Sequence, residues 1–241
     1  MEIVELKDMI EKRRSFRKYK DVPVDEKTLA KIRDFWENAK TLYPEIGIDA
    51  EFLGREQVRS LMKWLPPQVI AIYSESHEWD LENAGFLFQQ VDLYIQSLGL
   101  GSCWVGLGRP KGTATRNSDK KFVILLTVGY PEEEFRSDIS QFKRHTLSEI
   151  ANAPDEKLEP ARLAPSAVNS QPWYFVVDGD TYHLYRTKPG LIKGRSLNDF
   201  NRMDVGIALA HLYVAYPDSF CFYRGEHPEK EGLLYIGSCQ L

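Results

Sequence analysis

Ala164-Pro165-Ser166-Ala167-Val168-Asn169-Ser170-Gln171-Pro172-Trp173 sits between two prolines and runs straight into the apolar Trp173-Tyr174-Phe175-Val176-Val177. Each proline fixes its own φ and biases the residue before it away from helix. A helix is therefore predicted to stop near Leu163 and a strand to start near Trp173. The bridge between them carries Ser166, Asn169 and Gln171, polar side chains able to face a ligand. Taken alone, the stretch reads as an ordinary helix-to-strand loop. A second motif, nearly a full domain earlier in the chain, changes that reading.

That motif is Lys12-Arg13-Arg14-Ser15-Phe16-Arg17-Lys18-Tyr19-Lys20, in which six of nine residues are cationic within a chain of net charge −4. It can be a solvated charged face, a nucleic-acid patch, or a cradle for one phosphate group. The cluster is single and short, and nothing extends it into the stripe a polynucleotide needs. Converging Arg forks and a hydroxyl suit one phosphate, because planar guanidinium donors match phosphate oxygens in pairs.

Between the two motifs the periodicities give a regular order. Leu6, Met9 and Ile10 mark a short first helix. Pro23-Val24-Asp25-Glu26 opens a second, with Leu29, Ile32, Trp36 and Ala39 as its buried stripe and Tyr43-Pro44 as its end. Strands are expected near Ile46–Leu53 and Gln68–Ser74. A long helix follows from Asp80 to Leu98, its stripe being Ala84, Phe88, Val91, Ile95 and Leu98, with Gly99 as its stop. Gly99-Leu100-Gly101-Ser102-Cys103-Trp104-Val105-Gly106 makes a turn into a buried strand, without the strand-before, helix-after setting of a dinucleotide fingerprint. Phe122–Val128 is a central strand, stopped by Gly129-Tyr130-Pro131, and Glu132–Gln141 reads as a surface connection.

The second part repeats that order: a helix near Asp155–Leu163, a hairpin from Trp173–Val177 through Asp178-Gly179-Asp180 to Tyr182–Arg186, a long helix near Asp199–Tyr216, then strands near Phe220–Tyr223 and Leu233–Ile236. Asp155-Glu156-Lys157 matches Asp25-Glu26-Lys27, and Arg144 matches Arg14, both at a spacing of 130 residues. We read two duplicated halves, residues 1–141 and 142–241, packed as a pseudo-twofold pair in one compact unit. The Arg motif occurs only in the first half and the Pro165–Trp173 loop only in the second. Around Ala39–Ile46 the loop pattern is gone, as expected where a symmetric pair with two sites has kept one.

In these residues the chain resembles the nitroreductase family of FMN-dependent oxidoreductases. Arg-Arg-Ser-x-Arg resembles that family's FMN-phosphate motif, and Gly-Leu-Gly-Ser-Cys-Trp its turn after the central helix. Ala-Pro-Ser-Ala-x-Asn-x-Gln-Pro-Trp resembles its other flavin loop, which ordinarily comes early and reaches across a homodimer. Its late position here is that of the fused branch, in which one chain imitates the dimer. The resemblance implies an α+β fold, an α/β sandwich of mostly antiparallel mixed sheets flanked by helices. It implies FMN as cofactor and NADH or NADPH as electron donor. Arg13, Arg14, Ser15, Arg17, Lys143 and Arg144 would hold phosphate and ribityl, and Pro165, Ser166, Ala167, Asn169 and Gln171 would meet the flavin from the other half. The backbone of Gly106, Leu107 and Gly108 would face the ring. The expected activity is reduction of a small nitroaromatic, quinone or similar acceptor. A non-catalytic flavin-binding or flavin-sensing protein, and an oxygen-dependent enzyme that fragments flavin, are the alternatives on the same scaffold.

Composition narrows the rest. A 241-residue chain with 43% hydrophobic and 27% charged residues is ordinary for a soluble globular protein. No apolar run reaches membrane-spanning length, and the acidic lead Met1-Glu2-Ile3-Val4-Glu5 does not read as a signal peptide. Cys103, Cys221 and Cys239 lack metal-type spacing and read as reduced core residues of a cytoplasmic protein. The five histidines, His77, His145, His183, His211 and His227, are scattered, so each reads as a surface or satisfied core group. No metal site, nucleophile set or obligatory acid–base residue is expected, and no nucleic-acid or membrane partner. The chain is expected to be able to work as a monomer, a pseudo-dimer in itself, with further oligomerisation left open.

Overall fold

The computed structural model describes residues 6–112, 119–188 and 194–241, without the side chains of 194–196. The reading of Met1–Glu5 lies outside them. Helices α1 (Lys7–Lys12) and α2 (Glu26–Asn38) precede strands β1 (Ile48–Gly54), β2 (Val58–Ser60) and β3 (Gln68–Ser74). The long α3 (Asp80–Ser97) leads to β4 (Trp104–Val105), β5 (Gly108–Pro110) and β6 (Lys121–Val128). After the short α4 (Leu147–Ile150) and α5 (Glu159–Arg162) come β7 (Trp173–Asp178), β8 (Thr181–Thr187), α6 (Gly194–Ala215), β9 (Cys221–Tyr223) and β10 (Leu233–Gln240).

One four-stranded sheet runs β1-β3-β6-β4 and a second β7-β8-β10-β9, with every neighbouring pair antiparallel. Both use the same path: two adjacent strands, a long helix, an edge strand, then an inner strand. β2 and β5 pair as a separate two-stranded ribbon that the sequence reading did not anticipate. The fold is α+β, as expected. Period-2 alternation divides β3 between two cores: Ile70 and Ile72 face the main core, and Val69, Ala71 and Tyr73 a smaller one with Leu53, Val58 and Leu125.

α3 packs on β3 and β6, α6 packs on β7 and β8, and the two helices cross each other between the sheets. Glycine permits the crossing. A Cβ at Gly85 would stand 2.2 Å from the Met203 carbonyl oxygen, and one at Gly206 would stand 2.0 Å from that of Glu82. The contact is reciprocal, since each glycine meets the residue three places before the other.

α3 has no solvent face: Asp80 to Gln96 are all buried, because α6 and the N-terminal segment cover the side away from the apolar stripe. Two expectations, on the end of α2 and on Cys221, need correction. α2 ends at Asn38 rather than at Tyr43-Pro44. Beyond it, Asn83 Oδ1 accepts the N–H groups of Leu42 (2.9 Å) and Tyr43 (3.1 Å), and its Nδ2 donates to the Tyr43 carbonyl (3.0 Å), so these backbone groups bond to α3 instead of continuing a helix. Cys221 is exposed, because β9 is an edge strand; Cys103 and Cys239 are buried as read. No helix among the described residues is long and apolar enough to cross a membrane.

Candidate functional site

Backbone bonds dock the basic segment beside the end of α3. Phe16 N–H donates to the Ser102 carbonyl (3.1 Å) and Lys20 N–H to that of Tyr130 (2.9 Å). Arg13 is thereby carried inside, at 1% exposure, where its Nε meets Asp92 Oδ2 at 3.1 Å. A buried carboxylate needs all its lone pairs engaged. Asp92 has them: Ser102 Oγ (2.6 Å) and Gln96 Nε2 (3.3 Å) donate to Oδ1, and Gln89 Nε2 (2.9 Å) joins Arg13 at Oδ2. Gln89 also accepts from Trp104 Nε1 (3.1 Å) and reaches His211 Nε2 on α6 (3.2 Å). His211 Nδ1 lies 2.9 Å from the Pro160 carbonyl. A carbonyl only accepts, so Nδ1 carries the hydrogen and Nε2 accepts from Gln89. Burial, then the Arg13 charge, pushes the imidazole down to about 3, so it stays neutral. Arg14 turns outward to the Glu134 carbonyl (2.9 Å) and the Glu133 carboxylate (3.3 Å).

The proline-bounded loop ties itself into a tight form. Ser166 Oγ accepts the Gln171 N–H (2.9 Å), Asn169 N–H donates to the Ser166 carbonyl (3.0 Å), and Gln171 Oε1 accepts the His145 N–H (2.8 Å). Val168, Asn169 and Gln171 have φ of 48°, 57° and 45°. Left-handed backbone is costly for a β-branched valine, and such strain collects at ligand clamps. The loop is pinned to α6 by Ala167 N–H, which lies 3.1 Å and 3.2 Å from the two carboxylate oxygens of Asp204.

Three guanidinium groups gather where the loop, the basic segment and the 132–141 connection meet. Arg144 donates to the Ala164 carbonyl (2.9 Å), the Lys143 carbonyl (3.2 Å) and Asn169 Oδ1 (2.6 Å), all neutral oxygens. Arg136 donates to the Arg13 carbonyl and lies 4.0 Å over the Phe142 ring. Among the described residues neither Arg136 nor Arg144 meets a carboxylate. Burial and the charge of Arg13 lower Arg136 to about 10; burial and the charges of Arg13 and Arg136 lower Arg144 to about 9. Like charges held together without a counterion form a site for an anion. The sequence reading had passed Arg136 by as part of a surface connection. A lone arginine in a polar stretch gives no local signal of being carried inward.

Beside this cluster lies a mostly apolar cavity of about 420 Å³. Of the residues named from the sequence, Ser15, Arg17, Gly106, Leu107, Pro165, Ser166 and Ala167 line it. Trp104, Phe200, Met203, Asp204 and Ile207 are among its other walls, and α6 was not foreseen as one of them. Gly106 lacks a side chain where the Phe200 ring comes within 2.5 Å of a would-be Cβ. The other named residues lie elsewhere. Arg13 is in the Asp92 network, Arg14 at the surface, and Lys143 and Asn169 clamp Arg144. Gln171 braces the loop. Gly108 turns from the cavity, because its pairing with Ser60 in the ribbon faces it toward Leu125. No group of metal-ligating side chains occurs among the described residues.

With this geometry in place, a protein-family model described as "Putative TM nitroreductase" matches residues 5–216. A Thermotoga maritima protein with a crystal structure under the same nitroreductase description is 22% identical. The likeness covers 99% of this chain and 92% of that one at a TM-score of 0.63. A nitroreductase family protein of Clostridium difficile is 21% identical, covering 62% of this chain and 96% of that one at a TM-score of 0.51. A Desulfovibrio desulfuricans structure in complex with FMN is 17% identical over 60% of this chain and 93% of that one. Its TM-score of 0.45 makes the likeness too loose to bear on this chain. No curated protein matches the chain.

Proposed function

The chain belongs to this nitroreductase family, and on that premise we propose that it is an FMN-dependent oxidoreductase. It takes electrons from NADH or NADPH and passes them to a small quinone, nitroaromatic or similar acceptor. The observation that carries the reading is the pair of carboxylate-free guanidinium groups, Arg136 and Arg144, beside the apolar cavity of about 420 Å³. A flavin mononucleotide has the matching chemistry: one phosphate for the cations and one flat apolar ring system for the slot. Among the described residues there is one such cation cluster, so one terminal phosphate fits better than the diphosphate of FAD.

The residues divide the work accordingly. Arg144 and Arg136 hold the phosphate, with the Ser15 hydroxyl beside them. Asn169 and Lys143 fix the direction of Arg144. Arg13 acts through Asp92, holding the floor of the site rather than spending its own charge on the ligand. Ser166, Ala167, Gly106 and Leu107 form walls that exclude water, and Arg17 supplies a positive charge within the cavity. Bound FMN supplies hydride transfer, which needs position and electrostatics from the protein and no covalent step by a side chain. Three free cysteines suit a reducing compartment, and we place the protein in the cytoplasm.

The same reading treats residues 1–141 and 142–241 as two copies of one unit imitating a homodimer. The shared strand order and the reciprocal glycines of α3 and α6 support it. So does a matched pair two residues before each glycine: Asn83 holds Leu42 and Tyr43 N–H as Asp204 holds Ala167 N–H. Six residues before each glycine stand Trp79 and Phe200. Phe200 lines the cavity, whereas Trp79 stacks on Tyr43 at 5.9 Å with Arg224 over its face at 4.2 Å. Tyr43 in turn meets Phe222 edge-on at 6.2 Å. The second position is filled by side chains, so one FMN is expected per chain, in a monomer.

Native mass spectrometry of the flavin-loaded protein, with chromatography of the acid-released cofactor, tests both claims. One FMN per monomeric chain is expected. FAD, or a protein left colourless after FMN is added, overturns the cofactor. Two FMN per chain, or one per two chains, overturns the fused-pair reading.

A further inference from the structure

We propose that Asp204 is the proton donor of the cavity, giving its carboxyl proton to the acceptor as that acceptor is reduced. The inference rests on the oxidoreductase reading above and adds a catalytic residue to it.

Asp204 is 3% exposed and lines the cavity together with Ser166, Ala167 and Met203. Its described hydrogen-bond partners are the Ala167 N–H and the Ser170 hydroxyl, the latter at 3.4 Å. Among the described residues the other titratable groups lining the cavity are Arg17 and Cys103. No cation pairs with Asp204 among the described residues, so burial dominates and pushes the carboxyl up to about 8. Near neutral pH it keeps its proton inside a site built for reduction.

The molecule contains its own control for the alternative that Asp204 only anchors the loop. Asn83, at the matching place on α3, does that anchoring with an amide, accepting Leu42 N–H at 2.9 Å and Tyr43 N–H at 3.1 Å. A neutral oxygen is enough to hold a backbone N–H, and it avoids the penalty of burying an ionisable group. The filled position carries the amide and the open cavity carries the acid.

The step balances. Two-electron reduction of a quinone consumes one hydride and one proton. The hydride equivalent comes from the reduced flavin, itself supplied by the nicotinamide donor. The Asp204 O–H bond breaks, a new O–H bond forms on a quinone oxygen, and a carboxylate is left. Ser170, half-buried and 3.4 Å from both Asp204 Oδ2 and Asn201 Oδ1, lies on the route by which solvent returns the proton.

The test uses Asp204→Asn, which keeps an oxygen for the Ala167 N–H. The holoenzyme is assayed with a benzoquinone, which needs the proton, and with ferricyanide, which takes electrons alone. General acid catalysis contributes roughly 10²–10⁴-fold, so the quinone-to-ferricyanide rate ratio should fall by about 100-fold or more. A second readout needs no flavin. Infrared spectra of the apo-protein near neutral pH should show a protonated-carboxyl stretch that disappears in the variant. An unchanged rate ratio, or no such band in the parent protein, overturns the proposal. A parent protein that binds FMN yet reduces neither acceptor overturns the oxidoreductase reading instead.

Discussion

Replacing Gly206 with alanine places one methyl group against the backbone of α3. The new Cβ would stand 2.0 Å from the Glu82 carbonyl oxygen, 2.8 Å from its carbonyl carbon and 3.0 Å from the Phe86 nitrogen. Comfortable contacts between such atoms are about 3.5 Å, so the closest one is short by roughly 1.5 Å. No side-chain rotation relieves it, because the obstacle is main chain. The helices must part by about 1 Å along the crossing, and a gap of that size forfeits a quarter to a half of each dispersion well it opens. Overpacking of this kind costs about 1–3 kcal/mol, while alanine returns up to about 1 kcal/mol of helix propensity. With the opened seam added, we expect a net loss of about 2 kcal/mol or more, lowering Tm by roughly 4–8 °C in a chain of this length. Gly85→Ala, whose Cβ would stand 2.2 Å from the Met203 carbonyl oxygen, should behave alike. The double variant should cost less than the sum, because helices already parted admit the second methyl. Thermal and urea melts followed by circular dichroism read this directly. Variants that melt within about 1 °C of the parent, or whose effects add independently, would show that the helices do not meet through these glycines.

Other expectations concern the charges. Arg13→Met leaves Asp92 buried without its cation and should cost about 3–5 kcal/mol, measured on the apo-protein by urea melts; an unchanged midpoint would mean the three neutral donors suffice. Arg144→Gln should weaken FMN binding roughly 10–150-fold, the equivalent of about 1.5–3 kcal/mol for a charged hydrogen bond, whereas exposed Lys18→Ala should leave the titration nearly unchanged. Between about pH 3 and 6.5 the unfolded chain protonates His211 and the folded one does not, so this residue makes stability rise with pH across that window. Asp204 acts with the opposite sign between about 3.8 and 8, so the His211 effect is read as the slope lost in His211→Gln relative to the parent.

Much of this molecule was legible residue by residue. The prolines at 165 and 172 located the loop, the strand at β7 began at Trp173 as expected, and β3 matched its predicted span. What escaped was tertiary. The periodicity of α3 marked an apolar stripe but said nothing of Gln89, Asp92 and Gln96, all three of which are buried. A signal was present: no Lys or Arg occurs from Asp80 to Ser97, and an 18-residue helix with a solvent face would ordinarily carry some. Asp204 escaped for the same reason, since an aspartate within a helix reads as surface until the loop that covers it is known. Arg136 could be found only once the fold had brought it against Arg13.

Asn83 and Asp204 have a genetic consequence. In a true homodimer one codon writes both copies of a position, so an acid that helps catalysis at one site is imposed on the other. Within a single chain on the fused-pair reading, the two places are written separately. One could take on chemistry and tolerate a buried carboxyl while the other kept its amide and let Trp79 and Tyr43 fill the space. Half of the pair then becomes scaffold, free to drift in every respect except the surface it presents to the working half.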